Sequence, residues 1–588
     1  SMKCKFLNEP KKVKSRMKKP PKGIPAPPPT PPKAGLAINW RAAGLAVLAL
    51  ALASVYLFIQ FRGFSISTAM DQAQISREIA KGNGYTTQYI RPLAIWQLEH
   101  AGKSIPSHHF PELLQSPLNP LINALPLKLV ESEWKLTPLD IVYIGDRVIA
   151  ATAILFFLFS VVIWYFAGAI LFDKKTALIG CAGLLLSDMM WQFSLSGLPQ
   201  MLMLFLFACT TWLTLRAMEN RDLGRSSLGY IFASALVFGL LTLAHWAALW
   251  IFLGWVIFAT LQFPRKGLAT LIALVGFLLL VGPWLLRNHD ICGNPIGLAG
   301  YELITQPGTA ETDYMRSLTS PPIFSAVATL KRFSEALTHQ AGHIFSFLGI
   351  NVIALMFFTA LLHRFKLSNA ASFRPGVLLM WGGAILGMGL SGVSESVSPN
   401  QLHVLFVPLF LFYGFAFLMV LWSRLEVHSP KIKSAFIAFL LLLCALPLLG
   451  TLMSAPERAI QWPPYVPPFI AVLGVWFEEN EAICTDMPWA VSWYAQRQAL
   501  LLPKTIKQFN RISDYRLLGK SLNGLYLTPL TGNRALFSEV YKGAYSDWIS
   551  LIMRPPEVAN FSLPIFTPLP IDGECILFSD RNRWSRRN

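Results

Sequence analysis

The sequence predicts an α-helical polytopic membrane protein of about 11 transmembrane helices with a small C-terminal α/β extracytoplasmic domain. Of the 588 residues, 54% are hydrophobic and only 14% are charged, whereas soluble domains carry about a quarter charged residues. Apolar runs long enough to cross about 30 Å of hydrocarbon recur along most of the chain. After about residue 480 the pattern changes to short alternating strands and helices, which is typical of a small α/β domain.

The chain begins with a basic, proline-rich tail, residues 1–36. Lysines and arginines cluster between Lys11 and Lys19, and a proline-rich run from Pro25 to Pro32 follows. Such a segment cannot bury a core, so we expect it to be disordered. It could touch anionic lipid headgroups, although a solvated tail that sets the topology is the simpler explanation. Much of the net charge of +18 lies here and in short loops, which indicates cytoplasmic segments rather than a nucleic-acid surface.

The transmembrane domain is expected over residues 37–454. The basic loops between its apolar runs all fall on the side of the tail, so the positive-inside rule places the N-terminus in the cytoplasm. Two large loops, residues 61–142 and 288–343, then face the other side, together with the domain at residues 455–588. The loop 288–343 has few structure signals and could be a lid. The expected spans are 38–60, 143–171, 176–193, 198–217, 228–244, 246–262, 267–286, 344–362, 375–393, 402–421 and 434–453.

The first large loop begins with an amphipathic helix in residues 71–85. Apolar residues recur there at helical spacing until Gly82, and Asp71, Gln74 and Glu78 fall near one another on the helix. We expect Asp71 in the first turn, where the helix dipole favours a carboxylate. Position alone therefore explains Asp71 by helix stability as readily as by catalysis. A shorter apolar stretch, residues 121–130, predicts an interfacial helix.

The C-terminal region predicts alternating strands and helices. The expected strands are 481–485, 499–502, 524–528 and 574–579, and the expected helices are 488–496, 504–512 and 535–553. This alternation argues for one α/β domain on the non-cytoplasmic side.

Four short motifs follow one another along the chain with consistent sidedness. They are Asp-Gln-Ala-Gln-Ile-Ser-Arg-Glu-Ile at 71–79, Pro-Leu-Asn-Pro-Leu at 117–121, Gly-Pro-Trp-Leu-Leu-Arg-Asn at 282–288, and Thr-Asp-Met-Pro-Trp at 485–489. Together they resemble the GT-C superfamily of membrane glycosyltransferases. The branch they are most similar to contains the protein O-mannosyltransferases and the lipid A aminoarabinose transferases. The resemblance covers most of residues 38–510.

The resemblance implies that a sugar moves from a polyprenyl-phosphate donor to a lipid, glycan or protein acceptor on the non-cytoplasmic face, with inversion. Asp71 matches the catalytic aspartate of the family, which takes or orients the acceptor proton. Cations must hold the departing phosphate. Arg287 and Arg91 are the first candidates and Arg147 the third, although membrane snorkelling or an ordinary surface charge also explains them. The resemblance further implies substrate contacts from Glu78 and His403.

The sequence also departs from the family pattern. Gln72 stands where a Glu is usual, and the segment around Leu198 and Pro199 lacks a second acid. A divalent cation is therefore possible but not required. The departures support an alternative, a catalytically silent GT-C-like structural subunit of a membrane or envelope complex. A transporter is a third hypothesis, but no internal inverted repeat is evident. Polyprenyl carriers and the C-terminal domain suggest a bacterial inner membrane.

Overall fold

A computed structural model describes residues 40–136, 140, 142–303, 314–319, 324–393, 395–425, 429–454, 467–528, 531, 545–553, 561–568 and 576–583. The predicted N-terminal tail lies outside these residues, as do parts of the loop 288–343 and of the predicted helix 535–553. The structural statements that follow concern the described residues.

The described chain is mostly helical, as the sequence predicts. In chain order the helices are α1 (Trp40–Val55), α2 (Ser67–Ala80), α3 (Pro92–His100), α4 (Leu118–Leu129), α5 (Ile144–Leu171), α6 (Lys174–Leu185), α7 (Asp188–Leu195), α8 (Gln200–Asp222), α9 (Leu228–Ala244), α10 (Ala248–Gln262), α11 (Lys266–Cys292), α12 (Ala326–Leu348), α13 (Asn351–Ala360), α14 (Ser368–Ser391), α15 (Val407–Arg424), α16 (Pro430–Met453), α17 (Pro467–Trp476), α18 (Pro488–Ala490), α19 (Ile506–Asp514) and α20 (Ile549–Met553).

The predicted count of 11 transmembrane helices is not confirmed. Among the described residues, seven helices are long and apolar enough to cross a membrane, or nine if two bent helix pairs each form one span. Helix α1 is counted there together with the π-helical turn Tyr56–Gln60 that continues it, as the span Ala42–Gln60. The pairs are α6 with α7, bent by 55°, and α12 with α13, bent by 117°. The remaining two expected spans are α9 and α10, of 17 and 15 residues. At 1.5 Å per residue they reach about 26 and about 23 Å, less than the hydrocarbon thickness of about 30 Å.

Two helices lie in the large loops between the expected spans. The expected interfacial helix is present as α4, and it exposes Leu121, Leu125 and Leu129 at four-residue spacing. Such a stripe on one helix face suits a position at the membrane surface. The helix α12 lies largely within the loop 288–343, where the sequence analysis expected little structure. Its apolar residues are interrupted by Lys331, Arg332 and Glu335, so it was missed in a search for uninterrupted apolar runs.

A six-stranded sheet joins the outer loop to the C-terminal region. Its strands are β1 (Tyr89–Ile90), β2 (Ala482–Thr485), β3 (Gln498–Leu501), β4 (Leu522–Leu527), β5 (Ile565–Pro568) and β6 (Ile576–Ser579). The spatial order is β1-β3-β2-β4-β6-β5. The first four strands are parallel, whereas β6 runs antiparallel to both β4 and β5.

Strand β1 comes from the first large loop, far from the other strands in sequence. Tyr89 pairs with Ala499 and Ile90 pairs with Leu500. The sequence predicts β2, β3, β4 and β6 but neither edge strand, β1 with two residues or β5 with four. The domain boundary at residue 454 remains a prediction, and the sheet takes strands from both sides of it.

Candidate active site

Asp71 lies in the second turn of a buried helix. α2 begins at Ser67, and every residue from Ala69 to Glu78 is buried. The expectation that Asp71 occupies the first helical turn is therefore wrong, because the helix begins four residues earlier. The dipole effect is confined to the first turn, so helix stability no longer explains this carboxylate.

Three N–H donors surround the Asp71 carboxylate. Its Oδ2 atom accepts hydrogen bonds from the Arg91 guanidinium and from Gln115 Nε2, the latter at 2.7 Å. Its Oδ1 atom accepts from Gln74 Nε2 at 3.2 Å. Gln74 is fixed in turn, because its Nε2 also donates to Thr87 Oγ1 and its Oε1 accepts from the backbone N–H of Gln88. The carboxylate is thus held in one orientation.

Arg91 bridges two buried carboxylates. It directly follows β1, and its Nη2 atom contacts Asp71 while its Nη1 atom lies 3.4 Å from Glu112 Oε2. Its guanidinium also lies over the Tyr89 ring, 3.9 Å from the ring centroid. Glu112 Oε1 accepts the backbone N–H groups of Leu114 and Gln115. We call Asp71, Arg91 and Glu112 the ion triad.

Burial and charge act against each other within the ion triad. Burial raises the pKa of Asp71 to about 6, although the Arg91 charge opposes this rise and Glu112 adds to it. Burial lowers the pKa of Arg91, but the two carboxylates outweigh this effect and raise it above its ordinary value. Arg91 is therefore charged, and Asp71 is a base whose ionisation falls close to neutral pH.

Asp71 and Arg91 of the ion triad border a cavity of about 360 Å³. Asp71, Arg91, Gln72 and Gln115 line one side, and apolar residues of α10 and α11 line another. Aromatic side chains from separate parts of the chain complete the wall: Tyr89, Trp246, Trp250, Tyr314 and Trp489. A carboxylate, amides and aromatic rings around a space of this size can hold a sugar ring and accept a proton from a hydroxyl.

Amide side chains occupy the place beside Asp71. Gln72 Oε1 accepts from Asn119 Nδ2 at 2.6 Å, and Gln72 Nε2 donates to Gln115 Oε1 at 3.1 Å. Asn119 belongs to the Pro-Leu-Asn-Pro-Leu motif at the start of α4. Two of the four sequence motifs, residues 71–79 and 117–121, therefore contact each other beside the cavity.

Arg287 lies behind the ion triad rather than in the cavity wall. Its Nη1 atom donates to the backbone oxygen of Glu112 at 2.9 Å, and its Nη2 atom donates to that of Tyr85 at 3.2 Å. It packs against the Tyr85 and Trp284 rings. No described carboxylate forms a salt bridge with it.

The other three candidate residues lie away from the cavity. Glu78 accepts from Asn83 and Gln88 and supports the turn after α2. Arg147 lies in the first turn of α5, with its Nε atom buried and unpartnered. His403 is buried, and its Nδ1 atom accepts from Trp381. Their substrate contacts remain predictions.

Sequence reasoning missed Glu112, Gln115 and Trp489. Glu112 supplies a second acid beside Asp71, which the sequence analysis sought near Leu198. One signal was available, since Glu112 stands among apolar residues and directly after Phe110-Pro111 in the same loop. A charge in such a stretch is buried only when it is paired.

A second set of contacts fixes α2 against the C-terminal region. Arg77 donates from Nη1 and Nη2 to the backbone oxygens of Trp493 and Ser492, both at 2.5 Å. Asp146, at the start of α5, accepts from Trp493 Nε1 at 2.6 Å and from the Tyr494 hydroxyl at 2.8 Å. The helix that carries Asp71 is thereby held by the same segment that places Trp489 in the cavity wall.

Comparison with known proteins identifies the fold. No family model matches the sequence, and no curated protein sequence matches it. Among solved structures, ArnT from Cupriavidus metallidurans in the apo state has a TM-score of 0.55 at 12% identity and covers 92% of this chain and 98% of its own. The Archaeoglobus fulgidus oligosaccharyltransferase tethered to an acceptor peptide has a TM-score of 0.53 at 11% identity and covers 87% of this chain and 72% of its own.

Two further structures of the archaeal enzyme are similar at a TM-score of 0.52. One, AglB with an inhibitory peptide and a dolichol-phosphate, has 11% identity and covers 87% of this chain and 72% of its own. The other, a complex with Zn and sulfate, has 12% identity and covers 86% of this chain and 70% of its own. These similarities show that this chain has the fold of the GT-C membrane glycosyltransferases.

Proposed function

We propose that this protein is a membrane glycosyltransferase that moves a sugar from a polyprenyl-phosphate donor to a hydroxyl acceptor. The acceptor is a lipid, a glycan or a protein. The single observation that supports this proposal best is the position of Asp71, which lines the cavity beside a charged arginine at the start of the outer loop. The fold shared with ArnT and AglB supports the same class of reaction.

Asp71 acts as the base in this proposal. It accepts the proton of the acceptor hydroxyl as the oxygen attacks the anomeric carbon. The phosphate leaves from the opposite face of the sugar, so the configuration at that carbon inverts. A pKa raised toward neutral makes Asp71 a stronger base than an exposed carboxylate while leaving it ionised at pH 7.

The leaving phosphate needs a cation whose charge is not already balanced. The ion triad carries two carboxylates and one guanidinium, so its net charge is −1 when both acids are ionised. Arg287 donates to backbone and amide oxygens and forms no salt bridge with a described residue. We therefore assign the phosphate first to Arg287, from behind the cavity wall, and keep Arg91 and Arg147 as the second and third candidates.

The membrane setting follows from the spans and from the predicted topology. The described residues include at least seven helices that are able to cross a membrane. We propose that the chain is integral to a bacterial inner membrane, with a cytoplasmic N-terminus and an extracytoplasmic C-terminal domain. The cavity then opens on the non-cytoplasmic side, where flipped polyprenyl-phosphate sugars are present.

The test is turnover by the detergent-purified protein on a panel of radiolabelled undecaprenyl-phosphate and dolichyl-phosphate sugars. The Asp71→Asn variant is assayed in parallel. Glu99→Gln is the matched control. Glu99 lies in the same loop as Asp71, and the substitution removes a carboxylate from its partly exposed ion pair with Arg511. We expect transfer or hydrolysis by wild type and by Glu99→Gln, and loss of both in Asp71→Asn. Equal rates in wild type and Asp71→Asn would remove Asp71 from the reaction.

One observation favours a second candidate, the catalytically silent structural subunit. Both oxygens of Asp71 already accept hydrogen bonds, as in a purely structural ion pair. This alternative predicts no turnover on any carrier-linked sugar, together with stable co-purification of a partner from the native membrane.

A further inference from the structure

We propose that the Arg91 guanidinium fills the cation position of this site, so that the carboxylates are balanced by a side chain rather than by a divalent metal ion. This inference rests on the proposed function, but its test measures metal binding and requires no turnover. It is of interest because one structure with the same fold contains Zn. The argument rests on the donors and acceptors that surround the two carboxylates.

The oxygens of Asp71 face donors, not empty space. Arg91 Nη2 and Gln115 Nε2 donate to Oδ2, and Gln74 Nε2 donates to Oδ1. A divalent cation binds oxygen lone pairs at about 2.0 to 2.6 Å. N–H groups directed at the same lone pairs occupy these positions and present a positive end to any approaching cation.

Glu112 is engaged in the same way. Its Oε1 atom accepts two backbone N–H groups, those of Leu114 at 2.6 Å and Gln115 at 2.9 Å. Its Oε2 atom faces Arg91 Nη1. The second acid of the site is thus turned toward the arginine, which leaves the two carboxylates bridged by one planar group.

The neutral oxygens nearby are also occupied. Gln72 Oε1 accepts from Asn119, and Gln115 Oε1 accepts from Gln72. Amide oxygens are the other ligands that a hard cation prefers. Within the described residues, no group of three or more His, Cys, Asp or Glu side chains is placed to hold a metal ion, so this ligand set does not fit a divalent cation.

The arrangement explains the departure from the family pattern in the sequence. A Glu at position 72 would add a third carboxylate beside one guanidinium. Gln72 keeps the hydrogen bonds to Asn119 and Gln115 without that charge, so one arginine suffices for the two acids. The site then carries a single net negative charge when both acids are ionised.

The experiment is a Mn²⁺ titration of purified, metal-free protein, followed by electron paramagnetic resonance of the free ion. We expect wild type to bind no more Mn²⁺ in the submillimolar range than Asp71→Asn binds. Arg91→Ala frees two facing carboxylates, so we expect it to gain one Mn²⁺ site at least tenfold tighter than any in wild type. The double variant Arg91→Ala/Asp71→Asn should lose that site.

Two controls separate charge from unfolding. Arg91→Lys keeps a positive charge and should gain no Mn²⁺ site. Arg511→Ala breaks an exposed ion pair with a single acid and should gain no Mn²⁺ site either. An Asp71-dependent Mn²⁺ site in wild type overturns the inference, whether or not the Arg91 variants fold. A folded Arg91→Ala protein that gains no site overturns it as well.

The outcomes also separate this inference from the proposed function. A protein that transfers no sugar but gains the Mn²⁺ site in Arg91→Ala contradicts the enzymatic proposal and supports the built-in cation. A protein with Asp71-dependent turnover that also binds Mn²⁺ at Asp71 supports the enzyme and contradicts the built-in cation.

Discussion

Asp71 and Asp146 are two buried carboxylates of the outer region with different surroundings. Their exposed fractions are 2% and 0%. Asp146 accepts from an indole, a phenol and a backbone N–H group, all neutral donors, and it lines no part of the cavity. Asp71 pairs with a guanidinium and faces the cavity. Burial is therefore common to both carboxylates, whereas of the two only Asp71 has a cation partner and borders the cavity.

The largest expected effect separates the two residues by activity. Asp71→Asn should lower the transfer rate by about 10²- to 10⁴-fold, because general-base catalysis contributes this much. Its apparent melting temperature should fall less than that of Asp146→Ala, because the amide fills the same volume and keeps one acceptor oxygen, although its NH₂ group faces the donors around Asp71. The measurement is the initial rate with a radiolabelled donor, together with fluorescence-detected thermal unfolding. A rate within threefold of wild type contradicts the catalytic role that we propose for Asp71 and not for Asp146.

Asp146→Ala should show the opposite pattern, with a loss of stability. It removes the acceptor of the Trp493 indole N–H and one contact of the Tyr494 hydroxyl, and a buried donor without an acceptor costs about 1–3 kcal/mol. We expect a clear drop in apparent melting temperature in the same detergent. Asp146→Asn keeps one acceptor oxygen and should lose less. An Asp146→Ala protein as stable as wild type would show that the contacts of α5 with Trp493 and Tyr494 do not stabilise the fold.

The pH dependence of wild-type turnover tests the charge state of Asp71. Its pKa is raised from 3.8 to about 6 by burial, so the base is protonated as pH falls through 6. Turnover should fall about tenfold between pH 7 and pH 5. Stability has the opposite sign, because a raised pKa means that ionisation is disfavoured in the folded state. The stability contribution from Asp71 is complete below about pH 4 and is lost as pH rises through 6.

The smallest expected effect concerns Gln72. Gln72→Glu places a like charge beside Asp71 and should raise the pKa of Asp71 further. We expect the acid limb of the pH–rate profile to move upward by about one unit, with modest loss of rate at pH 8. Asn123→Asp is the control and should move the profile less. Asn123 is the third residue in the hydrogen-bonded chain of amides Gln72, Asn119 and Asn123, so its acid lies farther from Asp71. An unchanged profile in Gln72→Glu contradicts the charge balance inferred for the ion triad.

The sequence alone predicted the parts of the molecule that depend on local pattern. The fold class, the helix that carries Asp71, and four strands of the sheet follow from hydrophobic period and composition. The proposed base was predicted from the motif order and the predicted sidedness. The parts that were not predicted depend on tertiary contacts. Arg91 links Asp71 to Glu112. Nothing in the sequence around Glu112 specifies that contact. The bends between α6 and α7 and between α12 and α13 are likewise absent from a hydropathy pattern.

The pairing of β1 with β3 has a consequence for how the protein is made. Arg91 follows β1, and β1 is hydrogen-bonded only to β3 among the described strands, which is synthesised about four hundred residues later. The early loop is therefore synthesised long before the strand that pairs with it. We expect that nascent chains cut short before residue 498 contain the Asp71 helix but lack the strand pairing that precedes Arg91. On this expectation the C-terminal end of the chain completes the site last, and incomplete chains should show no turnover.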